Sequence, residues 1–147
     1  MYQVQITQLP GNDDLPLPKK MSPGSSGFDL CAAVKEPHLI HPGEIALIPT
    51  AIAIAMPLNI EAQVRSRSGL ALKHGICVLN SPGTIDSDYR GEIRVILYNV
   101  GPVLFRIERG DRIAQLAFHK VPEVRWEAVA TLDDTTRGTG GFGSTGY

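Results

Sequence analysis

The sequence predicts an all-β fold, a jelly-roll-like sandwich, on three observations. Short apolar segments alternate with period two, turn pairs separate them at regular spacing, and no stretch keeps a helical period for three turns. Val4 and Ile6 alternate in the first segment, Ile60, Ala62 and Val64 in another, Ile93, Val95 and Leu97 in a third, and Val124, Trp126 and Ala128 in the last. Each reads as a strand with one face turned inward. Pro10-Gly11, Pro23-Gly24, Pro42-Gly43, Pro82-Gly83, Gly101-Pro102 and Arg109-Gly110-Asp111 place the turns between them. Pro10 to Gly27, with four prolines and little apolar content, reads as a surface connection and not as a domain linker. One short helix is expected over Ser68 to His74, where Ser66 or Ser68 can cap, Leu70, Ala71, Leu72 and Lys73 favour helix, and Gly75 stops it.

At 147 residues the chain fits one domain with one core. Its 14 Lys plus Arg against 15 Asp plus Glu argue against a surface built to grip nucleic acid or an anionic membrane. The longest apolar run, Ala51 to Met56, is too short to span a bilayer, and the N-terminus lacks signal-peptide features. A soluble cytoplasmic protein is therefore expected. Cys31 and Cys77 stand far apart, so reduced structural cysteines are expected and no disulfide framework. His38 and His41 lack acidic or cysteine partners at ligand spacing and read as strand-end polar residues.

Five segments carry chemistry beyond what such a scaffold needs. Arg65-Ser-Arg-Ser-Gly-Leu-Ala71 brings two arginines and two hydroxyls to the start of the short helix, a place suited to anions, although alone it reads better as an ordinary capped helix with solvated arginines. It lacks the lysine and spacing of a Walker loop. Asn80 to Gly91 reads as a hairpin with one acidic wall: Asp86 and Asp88 lie two apart, and Tyr89 faces the other side. A carboxylate there can deprotonate a water beside a bound phosphate, and the tyrosine ring can lie against a sugar; the plain alternative is a surface hairpin with solvated acids. Asp29, flanked by Phe28 and Leu30, and Gln115, in a run otherwise suited to burial, each need hydrogen-bond partners, structural or from a ligand. The last eleven residues, Arg137 to Tyr147, contain five glycines yet also a fixed cation and a lone Phe142, which suits either a frayed end or a loop that closes over a phosphorylated, ring-bearing ligand.

In that order, GFDL at 27–30, RSGLA at 67–71, GTIDSDYRGE at 83–92, RGDRIAQL at 109–116 and RGTGGFGSTG at 137–146 resemble the five motifs of the homotrimeric dUTP pyrophosphatases, the dUTPases. Ser66 departs from the family's usual proline before the arginine, which bears on loop stiffness and not on the chemistry. The resemblance implies a distorted jelly-roll, β-clip-like sandwich over residues 1–136, with residues 137–147 as a flexible lid. It also implies a homotrimer whose active sites lie between subunits, and Mg²⁺-dependent hydrolysis of dUTP to dUMP and pyrophosphate. Such a reaction keeps uracil out of DNA and supplies dUMP for dTMP synthesis.

By position, the resemblance makes Asp86 the base that activates the attacking water and Tyr89 the wall against a ribose 2′-hydroxyl. Asn80, the backbone of Thr84, Ile85 and Asp86, Gly91 and the nearby Arg94 would read the uracil edge. Arg67, Ser68, Gly69 and Gln115 would hold phosphates, and Asp29 would bond waters of a magnesium shell whose metal sits mainly on the triphosphate. Arg137 would reach the terminal phosphate, Phe142 would stack on uracil, and Ser144 and Thr145 would bond phosphate oxygens. Two other readings remain: a dCTP deaminase of the same superfamily, and a trimeric nucleotide-binding or regulatory protein without catalysis.

Overall fold

Residues 5–120 form eleven strands and one helix in a computed structural model, which describes residues 1–141. The order is β1 (Gln5–Gln8), β2 (Phe28–Cys31), β3 (His38–Ile40), β4 (Ile45–Pro49), β5 (Ile52–Ala55), β6 (Ile60–Arg65), α1 (Ser68–His74), β7 (Ile76–Val78), β8 (Gly83–Ile85), β9 (Arg94–Asn99), β10 (Phe105–Ile107) and β11 (Arg112–Lys120). The strands pair as a four-stranded sheet, β2-β11-β6-β8, a three-stranded sheet, β4-β9-β7, and two two-stranded sheets, β1-β5 and β3-β10. Every pairing is antiparallel. The all-β expectation therefore holds.

The predicted alternations explain how the layers pack. Ile60, Ala62 and Val64 turn inward from the four-stranded sheet while Ile93, Val95 and Leu97 turn inward beside the three-stranded one, and all six join one buried cluster. Removing such side chains from water is the main drive for closing the sandwich. The outward positions of β6, namely Glu61, Gln63 and Arg65, are polar and hydrogen-bond in sequence along the strand. The helix occupies the predicted span and ends where Gly75 adopts φ +67°, with its N–H returned to the carbonyl of Ala71. A side chain at 75 would also strike the backbone of Gly101, so glycine is required there twice over.

Three local expectations are corrected. Neither Ser66 nor Ser68 caps the helix: Arg67 is the N-cap residue and no side chain bonds the free N–H groups. Ser66 Oγ instead accepts the N–H of Val78 at 2.8 Å, so this hydroxyl ties the loop to β7. The segment 80–91 is no hairpin. β8 pairs with β6, β9 pairs in the other sheet, and the loop between them crosses from one layer to the next. Finally, Val124, Trp126 and Ala128 form no strand. Trp126 is 93% exposed, and the backbone of 122–134 finds no neighbouring strand within the described residues. Alternation specifies two faces, but a strand also needs an edge to bond to.

The connection from Pro10 to Gly27 lies on the surface but is pinned. Arg109 grips Asp14 with Nε and Nη2 at 2.8 and 2.7 Å, and Nη2 also bonds Asn12 Oδ1. Leu15 is buried beside Ala33 and Ala51.

Candidate active site

The predicted site residues fall into two clusters. The first gathers around Asp29 on β2, whose side chain is 14% exposed. β2 pairs with β11 so that Asp29 lies opposite Gln115, and Gln115 lies opposite Arg65 on β6. A register shift between Arg112 and Ala114 on β11 kinks the ladder there. Arg112 Nη1 then donates to Asp29 Oδ2 at 3.1 Å, and Arg67 Nε approaches Asp29 Oδ1 at 3.7 Å. Arg67 is further held by donating from Nη1 to the carbonyl of Arg112 at 2.7 Å. Gln115 Nε2 donates to the carbonyl of Ser66 at 3.0 Å. A Cβ on Gly27 would sit 2.5 Å from Gln115 Oε1, so glycine makes space for this amide. Ser68 and Gly69 are exposed at the helix start, with open space over Gly69.

One carboxylate thus stands between two guanidinium groups, leaving a surplus of one positive charge in this cluster. That balance suits phosphate oxygens. Arg112 was missed by the sequence reading, although it lies inside the fourth motif; the kink that turns it onto Asp29 leaves no mark in the apolar pattern.

The second cluster is the loop after β8. Thr84 and Ile85 lie on β8, and Asp86 is exposed at its end, where Tyr89 N–H returns to the Asp86 carbonyl at 3.1 Å in a tight turn. That turn, and not an extended chain, sets how Asp86, Asp88 and Tyr89 are disposed. Asp86 borders two clefts. One, of about 410 Å³, is shared with Glu61, Ser87, Asp88 and Val121; the other, of about 320 Å³, with Thr84, Ile85, Tyr89, Glu92 and Arg94. Tyr89 is 43% exposed, and its hydroxyl donates to the Glu92 carbonyl at 3.0 Å. Its ring packs on Gly91, where a Cβ would come within 2.6 Å of the ring carbon Cζ. Arg94 Nε lies 3.6 Å from Glu92 Oε2. Asn80 is exposed just before Gly83, whose absent side chain leaves space for the Asn80 amide.

The clusters stand apart on one chain. Ile85 lies opposite Ala62, so Asp86 leaves β8 beside Glu61, near the start of β6, whereas Arg67 follows the far end of that strand at Arg65. At about 3.3 Å per residue, the four strand steps from Glu61 to Arg65 span roughly 13 Å before the chain turns towards Arg67. A carboxylate and a guanidinium that serve one phosphoryl group must lie far closer.

Arg137 is exposed and folds onto its own turn, with Nε donating to the Gly140 carbonyl at 2.8 Å. Phe142, Ser144 and Thr145 lie outside the described residues. Among the described residues no three of His, Cys, Asp and Glu gather to hold a metal ion, and no helix is long and apolar enough to cross a membrane. The Cys31 thiol is pushed up from its ordinary value, mainly by burial and then by the charge of Asp29.

Comparison with known proteins gives the family and the fold. A sequence model of the dUTPase family matches residues 13–146. The deoxyuridine 5′-triphosphate nucleotidohydrolase of Maricaulis maris is 58% identical over 145 residues, covering 97% of this chain and 95% of that protein. The protein of the same name from Anaplasma marginale is 52% identical over 146 residues, covering 99% of each. Among solved structures, the dUTPase of Staphylococcus bacteriophage 80alpha with dUPNHPP superposes with a TM-score of 0.84 at 26% identity, over 99% of each chain. A mutant dUTPase of phage phi11 of S. aureus, described with a structural Mg(II) ion, superposes with a TM-score of 0.78 at 21% identity, over 90% of this chain and 99% of that one. The phi11 likeness speaks for the jelly-roll fold alone.

Proposed function

The chain belongs to the dUTPase family and hydrolyses dUTP to dUMP and pyrophosphate, and from that premise we propose that it does so in active sites assembled from more than one chain of a homotrimer. The observation that carries the shared site is the separation of Asp86 from Arg67. Within one chain the water-activating carboxylate and the phosphate-holding guanidinium stand too far apart to act on one α-phosphorus. A second chain placing its Asp29, Arg67 and Arg112 cluster against the loop of the first supplies both. The exposed 122–141 segment, with Val124, Trp126, Val129 and Leu132 turned to solvent, also favours a partner chain that covers it.

The substrate is the Mg²⁺ complex of dUTP, in which the metal neutralises part of the triphosphate charge. The chain's donors fit a metal that arrives in this way. Asp29 is already shared by two guanidinium groups, so its carboxylate suits the waters of a metal shell better than the metal itself. Arg67, Ser68, Gly69 and Gln115 hold the phosphate oxygens and keep the α-phosphorus in line with the attacking water. Asp86 takes a proton from that water as its oxygen bonds to the α-phosphorus and the bond to the bridging oxygen breaks, releasing pyrophosphate. Tyr89 presents its ring to C2′, where a hydroxyl would collide. Asn80, the Thr84–Asp86 backbone, Gly91 and Arg94 read the uracil edge, and residues 137–147 close over the nucleotide through Arg137, Phe142, Ser144 and Thr145.

Incubating the protein with dUTP, UTP, dTTP and dCTP while following pyrophosphate and ammonia tests this reading. Pyrophosphate from dUTP alone is expected. Ammonia from dCTP would identify a deaminase, and no product from any nucleotide would leave a binding protein.

A further inference from the structure

The loop that carries Tyr89 is exposed, yet at its end it is fastened to a buried, strained corner, in part through the side chain of Glu92. Between β4 and β5, Ala51 adopts φ +59° while only 2% exposed. Residues other than glycine seldom occupy that region, and an N–H buried there needs an acceptor. Glu92 provides it, with Oε1 accepting from Ala51 N–H at 2.9 Å. Two more bonds join the same segments: Thr50 Oγ1 donates to the Ile93 carbonyl at 2.5 Å, and Ile93 N–H donates to the Ile52 carbonyl at 2.8 Å. From this anchored position Glu92 faces the cleft twice. Its carbonyl receives the Tyr89 hydroxyl at 3.0 Å, and its Oε2 stands 3.6 Å from Arg94 Nε.

We infer that Glu92 is a positioning residue for nucleotide selectivity, because it carries the rigidity of the Ala51 corner to Tyr89 and Arg94. A ring that rejects one hydroxyl by collision does so only if it cannot retreat, and the tether to Glu92 is what denies it that freedom. The inference rests on the proposed role of Tyr89 as the wall against ribose.

The test is the ratio of kcat/KM for dUTP to that for UTP, measured on the full-length protein. This ratio does not depend on the fraction of enzyme that is folded, so a merely structural role leaves it unmoved. Tyr89→Ala and Glu92→Ala are both expected to lower it by about tenfold or more. Glu92→Gln keeps an oxygen for Ala51 N–H and is expected to stay within about threefold of the parent. Should Glu92→Ala fail to fold, Glu92→Asp, one methylene short of Ala51, carries the same expectation. A ratio unchanged by Glu92→Ala or Glu92→Asp while Tyr89→Ala lowers it overturns the positioning role. So does a Gln variant as unselective as the Ala variant. A ratio unchanged by Tyr89→Ala overturns the proposed sugar wall instead.

Discussion

Gly91→Ala offers a graded test of the sugar wall, because the backbone at 91 is not left-handed and the nearest obstacles to a methyl group are the ring and hydroxyl of Tyr89. The new Cβ would lie 2.6 Å from Cζ and 3.0 Å from Cε2, and would also meet the hydroxyl. Carbon atoms in contact settle at about 3.5–4.0 Å, so the ring must retreat by about 1 Å. That retreat stretches the bond from the Tyr89 hydroxyl to the Glu92 carbonyl from 3.0 Å to about 4 Å, beyond hydrogen-bond range. The loss is about 1 kcal/mol, equivalent to about fivefold in selectivity for dUTP over UTP. Steady-state kinetics on both nucleotides, with thermal unfolding as a control, measure it. A selectivity equal to that of the parent, with the fold intact, would refute the idea that ring position decides sugar choice.

Asp86→Asn is expected to lower kcat for dUTP by at least about a hundredfold while nucleotide still binds, as titration calorimetry would show; turnover at the parent rate removes Asp86 as the base. Gly75→Ala places a side chain at φ +67° and 2.5 Å from the Gly101 nitrogen, and should cost about 2–4 kcal/mol in chemical unfolding; an unchanged midpoint would contradict the packing of the helix end on the 99–101 turn. The Arg109 guanidinium lowers the Asp14 carboxyl below its usual value of 3.8, so the pair contributes stability above that pH and loses it as pH falls through the folded value. The gap in unfolding midpoint between the parent and Asp14→Asn should hold from neutral pH down to about pH 5 and close below about pH 4. A gap that persists in stronger acid would assign it to something other than the charge.

What the sequence made legible was whatever leaves a local or periodic mark. Ile60, Ala62 and Val64 point inward because a half-buried strand must alternate, and the 68–74 helix is bounded by a glycine whose left-handed geometry few other residues adopt. The same periodicity misled at Val124, Trp126 and Ala128, where the pattern is present but the pairing edge is not. It misled again at 80–91, where turn residues on both sides suggested a hairpin although the two flanks belong to different sheets. The motif residues of the site could be named singly, but their division into two clusters depends on strand order and register. Arg112 and Glu92 act through partners 83 and 41 positions away, and no local pattern marks such contacts.

The central claim is that no single chain holds a complete site, and subunit complementation tests it most directly. Asp86→Ala chains and Arg67→Ala chains, each expected to be inactive alone, are mixed in equal amounts under conditions that exchange subunits. If each site takes its carboxylate loop from one chain and its arginine cluster from another, random mixing leaves about a quarter of the sites intact, and about a quarter of the parent activity should return. If mixing is confirmed by mass and activity stays at the level of the separate variants, both clusters serve the same site within one chain and the account is wrong.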